Sequence, residues 1–345
     1  MTAMLPNSSM MPRYAYQALR SLAGRIEVTV LLALVAGPLT AVANGQATAW
    51  KPSPGHTQIP IWPGVPPHAQ PLPRAEIAAP VDGHLVAGRP WTYVSNVTRP
   101  TMTVYSPKGR NTGAAVVVFP GGGYRILAID LEGTEVCDWL TSKGITCVLL
   151  KYRVPGVEMY SKSAPYPYSG PYPESPIALE DAQRTVGLVR SRAAEWHIDP
   201  RKIGVLGFSA GGHMVAALST HFDRRLYPAV DAADKTSCRP DFAVSIYPGH
   251  LSLATNSIAL NPDIRTHITP QTPPTFLLQN EDDHVDRVED ALSYYVALKK
   301  AGIPAEMHLY PEGGHAFGLR RTKFPVTAWP LLVETWLGTI RMIPQ

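Results

Sequence analysis

Gly207-Phe208-Ser209-Ala210-Gly211 stands where a strand-like sequence gives way to a helix-like one. Ile203 to Phe208 is a short apolar run typical of a buried strand, and His213 to Leu218 has helical composition. A serine between two glycines at such a junction fits the pattern G-x-S-x-G, in which a sharp turn exposes the serine oxygen at the sheet edge. Side chains at the two glycine positions would collide with the neighbouring strand and helix. Ser209 is therefore a candidate nucleophile, although a Gly/Ser-rich loop can match the same short pattern.

A second glycine run precedes this serine. Ala114 to Phe119 is apolar and β-branched, as expected for a strand buried on both faces, and it leads into Pro120-Gly121-Gly122-Gly123-Tyr124. An acyl-transfer site needs two backbone N–H donors for the oxygen that becomes negative in the tetrahedral intermediate. We expect one from Ala210 and the other from Gly122 or Gly123. A flexible turn is the alternative, and the spacing does not fit a phosphate-binding loop.

His315 is the candidate base. It lies in the glycine-rich segment Pro311 to Gly318, directly after the strand-like residues Glu306 to Tyr310. A histidine among glycines on such a loop has little role in core packing, so we predict that it takes the proton from Ser209. His213, on the helix behind the serine, is expected to be a hydrogen-bonded structural residue.

The orienting acid should fall between the serine and the histidine in chain order. Thr275 to Gln279 is typical of a strand, and four acids crowd the loop that follows it. We choose Asp283 first, Asp282 second and Asp286 third as the carboxylate that accepts the imidazole Nδ1–H and stabilises the imidazolium. A solvated acidic turn before the helix that starts at Val288 accounts for some of these acids.

Strands and helices alternate from Ala114 onward, which predicts an α/β fold with a mostly parallel central sheet covered by helices on both faces, after a short antiparallel start. The predicted strands are Trp91–Val97, Met102–Ser106, Val116–Phe119, Thr146–Lys151, Ile203–Phe208, Phe242–Tyr247, Thr275–Gln279 and Glu306–Tyr310. The predicted helices are Glu132–Lys143, Ile177–Glu195, Gly211–Thr220, Val288–Ala301 and Ala328–Ile343.

Five short segments carry a family resemblance: Phe119–Tyr124, Leu131-Glu132-Gly133, Leu150–Arg153, Gly207–Gly212 and Gly313-Gly314-His315. Together they resemble the α/β-hydrolase superfamily, and more narrowly its serine esterases grouped with acetylxylan esterases and other polysaccharide deacetylases. The resemblance runs from about Val104 to the C terminus. It implies hydrolysis of a small ester or an acylated polysaccharide such as acetylated xylan, with no cofactor.

The chain departs from this family at two motifs. The family's acid motif is G-x-x-D-x-x-V-P; Asp283 takes the aspartate position, while Asn280, Asp286 and Arg287 replace Gly, Val and Pro. Pro120 stands where the oxyanion loop often begins with histidine. The glycine donors keep their places, and the serine nucleophile argues against the related dienelactone hydrolases, which use cysteine.

The amino terminus has the layout of a secretory signal peptide. Three arginines precede the apolar run Val28–Ala36, which is too short to span a bilayer comfortably, and Ala41-Val42-Ala43 supplies a small-x-small cleavage signal. We expect residues 1–43 to be removed on export to the periplasm or beyond, with no membrane contact afterwards. The positive region is long, so translation from Met10 or Met11 is an alternative start. An uncleaved membrane anchor is the alternative interpretation.

Composition narrows the remaining function classes. The net charge of +4 is slight and the basic residues are scattered, which gives no support to nucleic-acid binding. Cys137 and Cys147 are most simply small buried hydrophobes, although a bridge between them is possible. The odd total of three cysteines leaves at least one unpaired thiol. The sequence contains neither a C-x-x-C nor an H-E-x-x-H pattern, so no metal site is predicted.

Two segments differ in composition from the main domain, which we place at residues 101–345. Residues 44–100 are rich in proline and predict a leader that wraps the core. The insert 154–176 leaves the carboxyl edge of the sheet, where open α/β sheets bind ligands, so we expect it to form a wall or lid beside Ser209. Aromatic faces can stack on sugar rings, and packing against the domain surface is the alternative. The candidate substrate-binding residues are Tyr124, Tyr160 and Tyr166.

These observations predict a secreted serine carboxylester hydrolase that forms an acyl-enzyme on Ser209. Two other interpretations stay open. One is a peptidase core of the prolyl-oligopeptidase type, although such enzymes usually carry a large propeller domain that this sequence lacks. The other is a non-catalytic carbohydrate-binding protein on a hydrolase scaffold, against which the intact serine, histidine and acid argue.

Overall fold

The structure, a computed structural model, describes residues 48–69, 71–72, 74–155, 175–254 and 256–344. These residues belong to one compact unit, Ala47–Gln345. The predicted signal peptide 1–43, most of the insert 154–176, and with it Tyr160 and Tyr166, lie outside the described residues. Within the described residues, no helix combines the length and the apolar character needed to cross a bilayer.

Eleven strands form two sheets in this part of the chain. In chain order they are β1 (Gln58–Pro60), β2 (Ile77–Val86), β3 (Arg89–Ser95), β4 (Thr101–Tyr105), β5 (Ala115–Phe119), β6 (Ile126–Ala128), β7 (Thr146–Lys151), β8 (Ile203–Phe208), β9 (Ala243–Ile246), β10 (Thr275–Asn280) and β11 (Ala305–Tyr310). Eight of them form one sheet in the order β1-β4-β7-β5-β8-β9-β10-β11. Strands β7 to β11 of this order pair in parallel, whereas β1 and β4 are antiparallel at one edge. Strands β2, β3 and β6 form a small antiparallel sheet.

The parallel strands are buried because helices pack against the sheet. Every residue of β5, β7, β8, β9 and β10 is buried. Strands covered on both faces are continuous apolar runs, and it is these runs that predicted them. Each strand predicted from Val116 onward is present, with ends that shift by at most one residue, and the mostly parallel sheet is confirmed.

Six α-helices accompany these strands in the described residues. They are α1 (Glu135–Ser142), α2 (Ser175–Ser191), α3 (Ala210–Thr220), α4 (Pro262–Arg265), α5 (Val288–Lys300) and α6 (Trp329–Thr339). A π-helical turn, Asp130–Thr134, leads into α1. The five predicted helices are all present. The last one ends at Thr339 instead of Ile343, and the short α4 was not predicted.

The proline-rich leader is more ordered than the sequence predicted. Its first strand, β1, pairs with β4 at the edge of the large sheet, and Ile61 and Trp62 directly after it are buried in the core. The Trp62 indole N–H donates to Asp181 Oδ1 in α2 at 2.8 Å. Strands β3 and β4, predicted together as an antiparallel start, belong to different sheets. The leader therefore contributes to the core as well as covering it.

Cys137 in α1 and Cys147 in β7 form a disulfide, with their Cα atoms 5.1 Å apart. The simpler expectation of two free, buried side chains is therefore wrong, and the bridge that the sequence left open is present. Cys238 is a free, buried cysteine. The disulfide links α1 covalently to β7, a strand of the parallel core.

Candidate active site

The loops after four parallel strands meet at one edge of the large sheet. Strands β5, β8, β10 and β11 end at Phe119, Phe208, Asn280 and Tyr310. The carboxyl ends of parallel strands face the same edge, and ligands bind there in open α/β sheets. The predicted oxyanion loop, Pro120 to Tyr124, follows β5, and the predicted nucleophile, acid and histidine follow the other three strands. The topology therefore brings all four to the carboxyl edge of the sheet, the rim of the site.

Ser209 occupies a strained turn between β8 and α3. Its backbone angles are φ +53° and ψ −119°, in a region that residues other than glycine seldom adopt. A Cβ on Gly207 would lie 2.1 Å from the carbonyl oxygen of Gly211, and one on Gly211 would lie 2.1 Å from the carbonyl oxygen of Phe119. The two glycines are therefore required by close backbone contacts, as the motif predicted. Ser209 itself is 7% exposed.

Asp283 contacts His315 directly. Asp283 Oδ2 lies 2.7 Å from His315 Nδ1, and the carboxylate is fully buried. Its other oxygen accepts the backbone N–H groups of Val285 and Asp286 at 2.9 and 3.0 Å, which curls the loop and fixes the carboxylate. Asp282, the second candidate acid, instead accepts backbone N–H groups of the histidine loop. The geometry therefore favours Asp283 as the acid that orients the imidazole.

Asp286 lies between the serine and the histidine. Ser209 Oγ donates a hydrogen bond to Asp286 Oδ2 at 2.9 Å, and His315 Nε2 lies 3.7 Å from that same oxygen. Asp286 is 3% exposed. The hydroxyl and the imidazole thus meet at one carboxylate oxygen. From the sequence, Asp286 was only the third choice of orienting acid, and its contact with Ser209 was not predicted.

The charges of these groups are strongly coupled. Burial lowers the pKa of His315, but the hydrogen bond with Asp283 and the charges of Asp286, Asp283 and Glu132 outweigh it and raise the pKa to about 9. Burial raises the pKa of Asp286 to about 7; the charge of Asp283 adds to the rise, while the charge of His315 and the Ser209 hydrogen bond oppose it. Between these two pKa values the site therefore favours an imidazolium flanked by carboxylates.

The glycine run after β5 packs against the nucleophile. A Cβ on Gly121 would lie 3.0 Å from the Cβ of Ser209. Gly122 has φ +128°, and a Cβ there would lie 2.3 Å from the carbonyl oxygen of Ile126, so only glycine fits. A Cβ on Gly123 would meet no atom within 4 Å, which places open space beside this residue. The loop thus borders both the serine and a free volume.

Three backbone N–H groups at this rim, those of Gly122, Gly123 and Ala210, are candidate oxyanion donors. The Gly121 N–H is already taken, because it donates to Glu132 Oε2 at 2.7 Å. Among the described residues, the backbone hydrogen bonds of this loop leave the N–H groups of Gly122 and Gly123 unused. Ala210 is the first residue of α3, and N–H groups in the first turn of a helix have no acceptor within it. These are the donors that the sequence predicted, and the choice between the two glycines stays open.

Glu132 joins the oxyanion loop to the histidine. Its Oε1 accepts the hydroxyl of Tyr247 at 2.8 Å, while its Oε2 holds Gly121. The ring centroid of Tyr247 lies 4.8 Å from that of His315. Burial raises the pKa of Glu132, against the opposing effect of the Tyr247 hydrogen bond. In the sequence, Glu132 stands in the family motif Leu131-Glu132-Gly133, and that motif was the available signal for this supporting role.

Two departures from the family motifs also have structural partners. The carbonyl oxygen of Pro120 accepts the hydroxyl of Tyr152 at 2.6 Å, which secures the start of the oxyanion loop. The Asn280 side chain donates to the carbonyl oxygen of Gly314 at 2.8 Å, which secures the loop before His315. The Asn280 contact depends on the substituted side chain, whereas the Pro120 contact is made by the backbone and does not depend on the residue type.

The structure gives Tyr124 a different place from the predicted one. Its side chain is 1% exposed, and its hydroxyl lies 2.9 Å from His213 Nδ1. Burial lowers the pKa of His213 to about 3, so this histidine is neutral. His213 has the hydrogen-bonded structural role that was expected. Tyr124 belongs to the support of the oxyanion loop and is not exposed for stacking on a sugar.

A group of possible metal ligands lies away from this rim. Ligand atoms of His221, Asp263 and His267 lie within 4.8 Å of one another. The Asp263 side chain is 72% exposed, and the two imidazole rings contact each other at a tilt of 31°, with centroids 4.1 Å apart. His221 follows the last residue of α3, and the rise of the helix places it roughly 18 Å from Ser209. This group therefore does not contact Ser209.

Comparison with known proteins identifies similar chains. The profile of a family described as alpha/beta hydrolase fold matches residues 116–319. An acetylxylan esterase from Xylanibacter ruminicola is 30% identical over 219 residues, which are 60% of this chain and 42% of the relative. Endo-1,4-beta-xylanase B from Butyrivibrio fibrisolvens is 29% identical over 224 residues, 61% of this chain and 33% of the relative. The chain thus spans less than half the length of these two relatives.

A solved structure matches more completely. The crystal structure of an acetyl ester-xyloside bifunctional hydrolase from Caldicellulosiruptor lactoaceticus is 33% identical, with a TM-score of 0.63. The match covers 83% of this chain and 97% of that one. The predicted fold class, with its mostly parallel sheet and short antiparallel part, is confirmed by this likeness and by the family match.

Proposed function

The chain belongs to the alpha/beta hydrolase fold family, and on this premise we propose that it is a serine esterase that removes short acyl groups, chiefly acetyl, from acylated polysaccharide. One observation carries the proposal. Ser209 on its strained turn, His315 and Asp283 meet at the rim where the oxyanion loop ends, with the acid 2.7 Å from the imidazole. This arrangement supports the proposed roles of Ser209 as nucleophile, His315 as base and Asp283 as orienting acid, which acyl transfer requires.

The reaction begins when Ser209 Oγ turns from Asp286 toward His315 Nε2. The hydroxyl proton moves to Nε2 as Oγ attacks the ester carbonyl carbon, and Asp283 stabilises the imidazolium that forms. The N–H groups of Ala210 and of Gly122 or Gly123 bind the negative oxygen of the tetrahedral intermediate. Because these donors are fixed by the backbone, they need no rearrangement as the charge develops.

Collapse of the intermediate breaks the bond to the alcohol, which takes the proton from His315 and leaves as a sugar hydroxyl. The acyl group now forms an ester with Ser209. A water molecule then attacks this acyl-enzyme and gives its proton to His315. The second intermediate collapses with the return of that proton to Ser209, and a carboxylic acid leaves. No redox step or cofactor enters this sequence.

Two similar proteins support the substrate class. One is an acetylxylan esterase, and the other is an acetyl ester-xyloside bifunctional hydrolase. The match to the second covers 97% of that protein. The first name refers to acetylated xylan, and the second combines an acetyl ester with a xyloside. We therefore assign acetylated xylan or its oligosaccharides as the first substrates to test.

Export is part of the same proposal. The predicted signal peptide over residues 1–43 directs the protein to the periplasm or beyond. The disulfide between Cys137 and Cys147 supports this location, because disulfides persist in oxidising compartments. Amino-terminal sequencing of the protein from separated cell fractions tests the proposal. A cytoplasmic protein that keeps residues 1–43 would contradict it.

The function is tested by labelling and by acetate release. A fluorophosphonate should label the native protein and Ser191→Ala, a control at an exposed serine, but not Ser209→Ala. Acetate release should be measured on acetylated xylan, acetylated pectin and p-nitrophenyl acetate. Full activity of Ser209→Ala would remove the assignment. Cleavage of a proline-containing peptide in place of esters would favour the peptidase alternative.

A further inference from the structure

One buried carboxylate at the rim has no step in the reaction described above. Asp286 Oδ2 accepts the hydroxyl of Ser209 at 2.9 Å and lies 3.7 Å from His315 Nε2. In the family's acid motif this position is an apolar valine, so the carboxylate is a departure of this chain. We propose that Asp286 is a second acid of the catalytic centre, which holds the resting serine and the Nε2 side of His315 on one oxygen and so sets the pH at which His315 becomes a free base.

The position of this carboxylate is built into the fold. The backbone N–H of Asp286 donates to Asp283 Oδ1 at 3.0 Å, and its carbonyl oxygen accepts Gln279 Nε2 at 3.0 Å. A Cβ on Gly249 would lie 2.2 Å from Asp286 Oδ1. A glycine therefore leaves the room that the carboxylate occupies, and the main chain is held from both sides. These contacts direct the side chain at Ser209.

The imidazole is placed between two acids. Asp283 lies 2.7 Å from Nδ1, and Asp286 lies 3.7 Å from Nε2. In a serine triad the Nε2 atom must be unprotonated in order to take the serine proton. A negative charge near each ring nitrogen favours the protonated ring instead. Asp286 therefore opposes the first proton transfer for as long as it is ionised.

The other charged groups around Asp286 and His315 either add negative charge to this pair or act on residues farther away. Asp283 and Asp290 add negative charge around Asp286, and the positive group that acts on it directly is His315. Glu132 adds a further negative charge at His315 and is hydrogen-bonded to Tyr247, whose ring packs on the imidazole. The charges of Asp290 and Arg125 act in opposite directions on the pKa of His250, which is lowered chiefly by burial.

The result is a coupled pair that rests in an inactive form. The pKa of Asp286 is about 7 and that of His315 about 9, so between these values the dominant form pairs a carboxylate with an imidazolium. Loss of the imidazolium proton on the alkaline side frees Nε2 to act as the base. The rate should therefore rise as the pH passes through the upper pKa of the pair. Without the Asp286 charge, this rise should occur at lower pH.

The inference rests on the proposed roles of Ser209 and His315, and its test is the pH dependence of kcat/KM. Ethyl acetate is a suitable substrate because its background hydrolysis is slow, and acetate can be measured directly from pH 5 to 10. We expect the acid limb of Asp286→Asn and Asp286→Val to lie at least about one pH unit below that of the native enzyme, a tenfold difference at pH values on the native limb. Glu281→Gln, which removes an exposed acid from the same loop, should keep the native limb.

The outcomes separate this inference from the proposed function. If Ser209→Ala is inactive and Asp286→Asn keeps the native acid limb within 0.3 pH units, the inference on Asp286 is wrong and the esterase assignment stands. If Ser209→Ala keeps its activity, the assignment itself is wrong. Should Asp286→Asn be folded but inactive throughout, the imidazole signals of His315 are titrated by NMR in native protein and variant. An unchanged pKa of His315 would then overturn the inference, and a lowered pKa would support it.

Discussion

Replacement of Glu132 by glutamine tests how the rim is supported. The carboxylate accepts two hydrogen bonds from buried donors, the Gly121 N–H at 2.7 Å and the Tyr247 hydroxyl at 2.8 Å. An amide has one acceptor oxygen, so Glu132→Gln satisfies one donor and turns an NH₂ group toward the other. The Tyr247 hydroxyl oxygen already accepts the Gly318 N–H at 3.2 Å. If the amide turned its NH₂ group toward Tyr247, the hydroxyl hydrogen would lose its acceptor.

The magnitude follows from this count. A buried donor left without an acceptor costs about 1–3 kcal/mol, so the free energy of unfolding should fall by that amount in Glu132→Gln. The Gly121 N–H anchors the loop that carries the oxyanion donors, and loss of one aligned donor costs about a hundredfold in kcat. We expect a decrease in kcat toward that limit with little change in KM, because the loop acts chiefly on the transition state.

Urea unfolding and steady-state kinetics on p-nitrophenyl acetate measure the two effects. Glu281→Gln is the matched control, since it makes the same chemical change at an exposed position near the site. It should leave both stability and kcat within experimental scatter of the native values. If Glu132→Gln matched the native enzyme in both measurements, the buried carboxylate would not be the link between the oxyanion loop and the histidine.

Two further changes probe the orienting acid and the disulfide. Asp283→Asn should lower kcat by about ten-thousandfold at unchanged fold, because the amide cannot keep the imidazole in its working tautomer; retention of even a tenth of the native kcat would point to another acid. Replacing both Cys137 and Cys147 by alanine opens a crosslink between residues 10 apart, worth about 2.7 kcal/mol of unfolding free energy by loop-closure entropy. Urea unfolding of the native and double-variant proteins measures this difference, and equal midpoints and slopes would contradict the contribution.

The parallel core could be predicted because burial on both faces marks every position of a strand. Val116 to Phe119 is apolar throughout, and the strand is present there with all of its residues buried. The outer strands carry less information. β1 has three residues and ends in Pro60, and β6 has three as well, so neither is long enough to show a period. Their pairing depends on β4 and β3, which are distant in sequence.

The site could be predicted where a local pattern marks the residue, as the glycines mark Ser209 and the loops after strands mark Asp283 and His315. The glycines around Ser209 mark the turn because a side chain there would overlap the backbone. The role of Asp286 carries no such local mark, since it depends on the curl of the loop around Asp283 and on the space that Gly249 leaves. The catalytic roles of Ser209, Asp283 and His315 stay predictions until the variants are measured.

Helix α3 gives the rim one further property. It begins directly after Ser209, and all 11 of its residues are buried. The aligned peptide dipoles of a helix place positive partial charge at its amino end, which here is the nucleophile turn. Dissolved ions screen such a field at a protein surface but reach a buried helix far less. Turnover of an uncharged ester should therefore change little with ionic strength.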